Sequence, residues 1–440
     1  MAGARPEAGR PCRHVVLITI DCLRFDHFGP RFMPRTFKLL GEGARFNWAF
    51  SQGPYTPPSF MSIMTSTYPL MYDGYPRLSH HRTALAEVLQ QHGLLTCAVH
   101  HNPFLARHYG FHRGFTYFED FSGLKDRRSL AAFLLRHPKA AFYSAIRKVL
   151  LGFTVVYLPA RIITDYAIAC LRHILGGPGM RGLGLFLWVH YMDVHHPFTV
   201  WPPKGTTIRR MRHVDLYGHK MGPEYREDAW ALYGQSLLYI DRHLGRLLAF
   251  LDGAGILDDA LTIITADHGE EFFEHGGFGH QAKLYNELLH VPLLIHPPEL
   301  TEGCDADALV GLIDLAPTVL DALGLPRGRR FLGSSILGGR GRSYVISECG
   351  SRTGDPCRID IKYHQFAITT KRWKLIYRPF TRHAELYDLK HDPLEKENVA
   401  DEHEDIVKAL TAVLKRHRRM ELASNIKARA ARAAGRGKTR

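Results

Sequence analysis

At 440 residues, 45% apolar and 23% charged, the chain has the make-up of a soluble globular protein, long enough to bury one large core and a smaller one. The formal charge of +14 does not mark a nucleic-acid binder, because it is local: Lys408 to Arg440 holds eleven Lys and Arg against one acid, Glu421, a net of +10. Seven scattered cysteines without a CxxC pair indicate neither a disulfide framework nor a zinc cluster.

The opening stretch MAGARPEAGRPCRH contains no hydrophobic signal region, which favours the cytoplasm. HVVLITID (14–21) is a β-branched run ending in a carboxylate, as a buried parallel strand does. MPRTFKLLGEGARF then reads as a helix stopped by Gly41 or Gly43 and followed by a strand. HRTALAEVLQQHG is a helix closed by Gly93, and LLTCAVHH the next strand. GLGLFLWVHYMD and LTIITADHG are further apolar strands with Asp and His at their C-terminal ends. VPLLIHPP adds a strand, and LIDLAPTVLDALG a helix closed by Gly324. This alternation predicts an α/β sandwich with a mostly parallel central sheet between helices, with ligands bound beyond the carboxyl ends of its strands.

Segment 122–182 interrupts the alternation and reads as a helical insertion near the site. Its apolar stretch VLLGFTVVYLPA (149–160) is too short to span a bilayer and reads as a buried or lid-forming helix, with an interfacial helix as the alternative. From about Ser343 the pattern shifts to the short strands FAITT, WKLIY and AELYDL, then a helix from about Asp401 to Glu421. The expected organisation is therefore a catalytic α/β domain over 1–340, a small antiparallel α+β subdomain over 341–421, and a basic disordered tail over 422–440. That tail solubilises, or makes weak contact with anionic lipid or nucleic acid.

Four residues stand at or just beyond predicted strand ends: Asp21, Thr56 in a Pro-rich turn, and the pair Asp267-His268. Two carboxylates, an imidazole and a hydroxyl suit a hard or borderline divalent cation. The segments around them, HVVLITIDCLRFDHFG, SQGPYTPPSFMSIMTSTYP, FLWVHYMDVHHPF and ITADHGEEFFEHGGFGHQAKLYNELLHVPLLIHPP, resemble in order those of sulfatases and related phosphoester hydrolases of the alkaline phosphatase superfamily. ITTKRWKLIYRPFTRHAELYDLKHDPLEKENVAD resembles that family's closing subdomain.

The resemblance implies that Asp21, Asp267 and His268 are metal ligands and that Thr56 is the nucleophile, which also touches the metal. It implies a small-molecule ester substrate and one divalent ion, with manganese, magnesium, zinc and calcium all compatible with the mixed shell. Cys22 stands where many sulfatases have a second Asp, which weakens the case for a calcium-type oxygen shell; Asp26 could help from the next turn or simply cap a helix. Thr56-Pro57-Pro58-Ser59-Phe60 lacks both the Cys or Ser and the Arg of the pattern that matures to formylglycine. A threonine sulfate has no elimination route, whereas a phosphothreonine can be cleaved by water or another acceptor. Phosphate mono- and diesters or phosphonates are therefore the expected substrates, with sulfate-ester hydrolysis and a non-catalytic binding protein as competing readings. Ser59 is an alternative nucleophile or a turn-stabilising hydroxyl.

Substrate oxygens and the leaving group need cations, N–H donors and a proton. Candidates are His101 and Asn102, His195 or His196, His280 and Lys283, with His195 and His280 in segments matching family substrate-binding positions. Asp193, His196 and His280 could imitate the second metal site of two-metal relatives, but the spacing after Asp193 is too short, so one metal is the expectation.

Overall fold

The computed structural model describes residues 11–121, 157–177, 182–198, 210, 222–327, 330–339, 341–351 and 358–436. Seven strands form the central sheet: β1 (His14–Ile20), β2 (Ala44–Arg45), β3 (Leu95–Val99), β4 (Tyr117–Glu119), β5 (Leu185–Tyr191), β6 (Ala260–Ala266) and β7 (Leu293–His296). Their order is β2-β7-β6-β1-β5-β3-β4. From β6 through β4 every pairing is parallel; β7 runs antiparallel to both β6 and β2. β1, β5 and β6 are buried at nearly every position, which explains their mostly apolar sequences.

The helices that matter here are α1 (Pro34–Leu40), α2 (Thr56–Thr65), α3 (Leu85–Gln91), α4 (Ala160–Gly176), α5 (Arg226–Gly253), α6 (Leu315–Ala322) and α7 (Glu404–Arg436). Asp241 of α5 caps α1: its carboxylate accepts from the Arg35 and Thr36 amides at 3.0 and 2.8 Å. From Val345 onward, β8 (Val345–Cys349), β9 (Gln365–Thr369), β10 (Trp373–Arg378) and β11 (His383–Asp388) form a four-stranded antiparallel sheet. The mixed α/β architecture with a mainly parallel central sheet and a separate small antiparallel sheet is thus as expected.

Two local expectations are corrected. Thr56 does not lie in an open turn but begins α2, because proline is tolerated in a helix's first turn, where its missing N–H has no intrahelical partner anyway. Residues 422–436 are not disordered, because α7 continues to Arg436; 437–440 lie outside the described residues. Ala and Arg are strong helix formers, and contacts with the 70–73 loop fix this part of the helix. Asn425 Nδ2 donates to the Leu70 carbonyl at 3.1 Å, Arg429 pairs with Asp73 at 2.8 Å, and Ala428 is buried. Of the 122–182 insertion, residues 122–156 and 178–181 fall outside the described residues, as does most of the 149–160 apolar stretch; the remainder contains α4. No helix among the described residues is long and apolar enough to cross a membrane.

Candidate active site

Strand register assembles the site. Ile20 lies opposite both Tyr191 and Ala266, so the residues that follow β1 and β6, Asp21 and Asp267, leave the sheet side by side. Asp21 is fully buried. Its Oδ2 accepts from Asn102 Nδ2 at 2.9 Å and Thr56 Oγ1 at 3.2 Å, and its Oδ1 accepts from the Cys22 thiol at 3.0 Å. Burial opposes the Asp21 carboxylate, but the His190 hydrogen bond and the neighbouring imidazoles of His195 and His268 outweigh it and hold the pKa well below the ordinary value.

Asp267 behaves in the opposite sense. Burial first, then the neighbouring Asp21 charge, push its pKa well up. Its Oδ1 accepts the His268 amide at 3.0 Å, while its buried Oδ2 has no hydrogen-bond partner. An orphaned carboxylate oxygen beside an ionised carboxylate is a donor pair suited to a cation. His268 completes the set. Its Nδ1–H donates to the Gly269 carbonyl at 2.8 Å, leaving the Nε2 lone pair facing inward. That Nε2 lies 3.4 Å from Thr56 Oγ1, 3.6 Å from Asp21 Oδ1 and 3.5 Å from Asp267 Oδ2. Burial, with His280 nearby, lowers the His268 pKa to about 3, so the ring is neutral and ready to ligate. Donors roughly 3–3.6 Å apart can share one ion at ordinary ligand distances of about 2.0–2.2 Å. Asp21, Asp267, His268 and Thr56 therefore fit a divalent cation.

Thr56 is nearly buried and points from the first residue of α2 into this group. Pro57 and Pro58 carry no N–H, so the helix start offers fewer backbone donors than usual, and charge on Oγ1 must be balanced by side chains or an ion. The Ser59 hydroxyl is engaged in the helix start. It donates to the Asp267 carbonyl at 2.6 Å and accepts from Ser51 at 3.0 Å, which locks the helix start against β6.

One member of the site was missed by sequence reasoning. His190, the penultimate residue of β5, is fully buried with Nε2 3.2 Å from Asp21 Oδ2 and Nδ1 2.9 Å from Thr19 Oγ1. Trp188 Nε1, a donor only, points at the same Thr19 oxygen at 3.0 Å. The ionised Asp21 carboxylate only accepts, so its hydrogen bond with His190 places the imidazole proton on Nε2 and leaves Nδ1 to accept from the Thr19 hydroxyl. The available signal was weak: a histidine inside an apolar strand reads as a core residue.

A second cluster borders the first. The His280 ring lies tilted against His268 at 4.6 Å and edge-on to His195 at 4.8 Å, and its Nδ1 meets the buried Glu270 carboxylate at 3.0 Å. Burial disfavours a charged ring, yet Glu270 more than offsets this and raises the His280 pKa. His195, packed on Tyr157 at 4.9 Å, is shifted the other way by burial and is the weaker base. Asn102 touches Asp21 directly and lies 3.5 Å from Thr56 Oγ1, closer to the centre than expected of a substrate contact alone.

The remaining candidates go elsewhere. His101 Nδ1 accepts the Leu158 amide at 3.0 Å, and burial lowers the ring's pKa to about 4. Lys283 is not aimed at substrate oxygens but is held by Glu271 at 2.7 Å and the His275 carbonyl at 2.9 Å. His196 packs edge-on against Phe198 and Phe278. Asp193 Oδ1 accepts the Ala160 amide at 3.0 Å at the start of α4, so Asp193, His196 and His280 do not assemble a second ligand set. Asp26 pairs with Arg24 and His27 rather than joining Asp21.

Comparison with known proteins comes to the same architecture. Residues 13–325 match the family described as sulfatase. Bovine (Bos taurus) arylsulfatase K is 27% identical over 230 residues, covering 48% of this chain and 42% of that protein. The match thus spans less than half the length of that curated relative. Among solved structures, the phosphonate monoester hydrolase of Agrobacterium radiobacter superposes with a TM-score of 0.73 at 20% identity, over 94% of this chain and 96% of the other. The phosphonate monoester hydrolase SpPMH from Silicibacter pomeroyi gives 0.71 at 21%, over 93% and 95%. At such identities the superpositions establish the fold.

Proposed function

The chain belongs to the sulfatase family, and from that premise we propose that it is a metal-dependent hydrolase or transferase cleaving phosphate mono- or diesters or phosphonate esters through a covalent intermediate on Thr56. The observation that carries this reading is the Thr56 hydroxyl, 3.2 Å from Asp21 Oδ2 and 3.4 Å from His268 Nε2, beside the orphaned Asp267 Oδ2. Threonine cannot become the formylglycine that eliminates sulfate, whereas its phosphate ester is resolved by attack at phosphorus.

Asp21, Asp267, His268 and the Thr56 oxygen would hold the cation, with His190 and Asn102 fixing Asp21. When bound, the ion supplies positive charge that favours an ionised threonine oxygen and offsets charge on the substrate's non-bridging oxygens. The packed start of α2 holds Oγ1 in one place, so little orientational entropy is lost at reaction. As the Thr56 O–P bond forms, the ester P–O bond breaks, and the departing alcohol takes a proton from His280, the ring whose pKa Glu270 raises. The neutral His280 then accepts a proton from the water or acceptor alcohol that attacks the phosphothreonine, which restores Thr56. Asn102 presents an amide N–H to the same space, while His195 gives its Nδ1–H to the His196 carbonyl.

A second reading, sulfuric ester hydrolysis without formylglycine, is favoured by the sequence match to an arylsulfatase. One experiment separates the two. Aryl phosphate, phosphodiester, phosphonate and sulfate esters are turned over before and after chelation. Phosphorus esters cleaved faster than sulfate, with activity lost on chelation, support the proposal. Faster sulfate turnover selects the second reading, and undiminished turnover of the stripped protein removes the metal from either.

A further inference from the structure

Two thiols from different layers of the fold meet away from the metal-ligand group. Cys97, the middle residue of β3, is fully buried and lies between Tyr117 and Leu187 in the sheet. Cys170 projects from α4 and is half-buried. Their Sγ atoms are 3.1 Å apart, both as free thiols. Other described cysteines face other groups: Cys22 meets Asp21 and His280, Cys349 meets Tyr55, and Cys304 meets the Ile336 carbonyl.

We propose that Cys97 and Cys170 form a redox modification site, a dithiol that a small disulfide oxidant converts into a covalent β3–α4 cross-link. A disulfide holds its sulfurs about 2.05 Å apart, so closure requires an approach of about 1 Å. Modest χ1 rotations at two side chains on already packed elements provide it. Exposure sets the order of events. The half-buried Cys170 is the sulfur an oxidant reaches first. Its thiolate attacks the oxidant's disulfide, forming a mixed disulfide and releasing one small thiol. Cys97 then attacks the Cys170 sulfur and expels the second small thiol. The two protein protons leave on the two small thiols, and the oxidant gains the two electrons the protein loses.

The cross-link would act on one wall of the active site. α4 is preceded by Tyr157, packed on His195, and Leu158, whose amide donates to His101 Nδ1; its first amide, at Ala160, donates to Asp193. β3 leads at its other end to His101 and Asn102. Joining the two elements ties the support of His195 to the strand that delivers Asn102.

The test uses the full chain incubated with oxidised glutathione or with dithiothreitol, then alkylated under denaturing conditions and digested. The expected result is a peptide pair linked through Cys97 and Cys170, loss of that one pair of alkylatable thiols, and a rise in Tm that dithiothreitol reverses. Cys97→Ser should instead retain glutathione on Cys170, and Cys170→Ser, at the less buried position, should lose the gain in Tm. Should native protein keep Cys97 alkylatable while Cys170 carries glutathione, at every ratio of oxidised to reduced glutathione, the proposal is overturned.

Discussion

Replacing His190 with alanine removes the Nε2–H donor 3.2 Å from Asp21 Oδ2 and leaves the Thr19 hydroxyl without its acceptor. A hydrogen bond to a charged group contributes about 1.5–3 kcal/mol, and a vacated imidazole in a packed core adds a cavity cost, so the variant should lose about 3–5 kcal/mol of stability. The ring it vacates packs edge-on against Phe60 at 5.1 Å, which argues against easy collapse. Asp21 keeps its Asn102 and Thr56 donors but is free to turn, and a loss of 1.5–3 kcal/mol in its placement corresponds to roughly 10- to 150-fold in kcat/KM. His190→Gln offers an amide N–H near the depth of Nε2 and should recover most of that loss; the shorter His190→Asn should not. The assay is ester turnover with cation affinity measured in parallel by calorimetry. Unchanged kcat/KM in His190→Ala would refute the positioning role. Complete loss of cation binding without rescue by glutamine would refute the proton assignment and make His190 a ligand.

Other consequences follow from individual residues. Thr56→Ala should fold, losing only about 1 kcal/mol with one neutral hydroxyl, yet lose about 10³- to 10⁶-fold in kcat, while Thr56→Ser keeps measurable turnover; circular dichroism and steady-state rates check both. Asp267, its pKa raised by burial and by Asp21, takes up a proton more readily than a free carboxylate, and a cation competes with that proton. Cation affinity should therefore strengthen as pH rises from about 4, and calorimetry in buffers of different ionisation heat should register proton release that Asp267→Asn abolishes; pH-independent affinity would contradict this. His417 on α7 is hydrogen-bonded to the buried Glu348 of β8. Burial opposes its charge, but Glu348 raises its pKa to about 10. Because the folded value exceeds the unfolded one, this stabilisation is complete below about pH 6.5 and is lost as pH climbs toward about 10. His417→Ala, which leaves Glu348 buried without its cation, should cost about 3–5 kcal/mol at pH 6 and much less at pH 10 in denaturant melts.

What the sequence made legible follows from how strands end. HVVLITI and LTIITA are mostly β-branched and apolar, so a carboxylate immediately after each had to sit at the sheet's edge, and Asp21 and Asp267 do. His268 and Thr56 were legible with them because the motifs around them are contiguous. His190 was hidden inside an apolar strand, where sequence does not reveal that Trp188 and Thr19 orient it. Lys283 was misread because its partner, Glu271, lies on a two-residue strand paired with Phe278–Gly279, a pairing that spacing in sequence does not reveal. The tail was misread because charge count was given more weight than the helix propensity of Ala and Arg, and because the 70–73 loop that receives it lies more than 300 residues away in sequence. α5, 28 residues long, was absent from the predicted elements altogether, although Asp241 within it caps α1.

The nucleophilic role of Thr56 is tested most directly by rapid acid quenching during turnover of an aryl phosphodiester, followed by mass analysis of the peptide that begins the first helix after β2. The account predicts a phosphoryl adduct on Thr56, formed at the rate of the alcohol burst and absent from Thr56→Ala. Full-rate turnover with that peptide unmodified, or with the adduct on Ser59 instead, would contradict it.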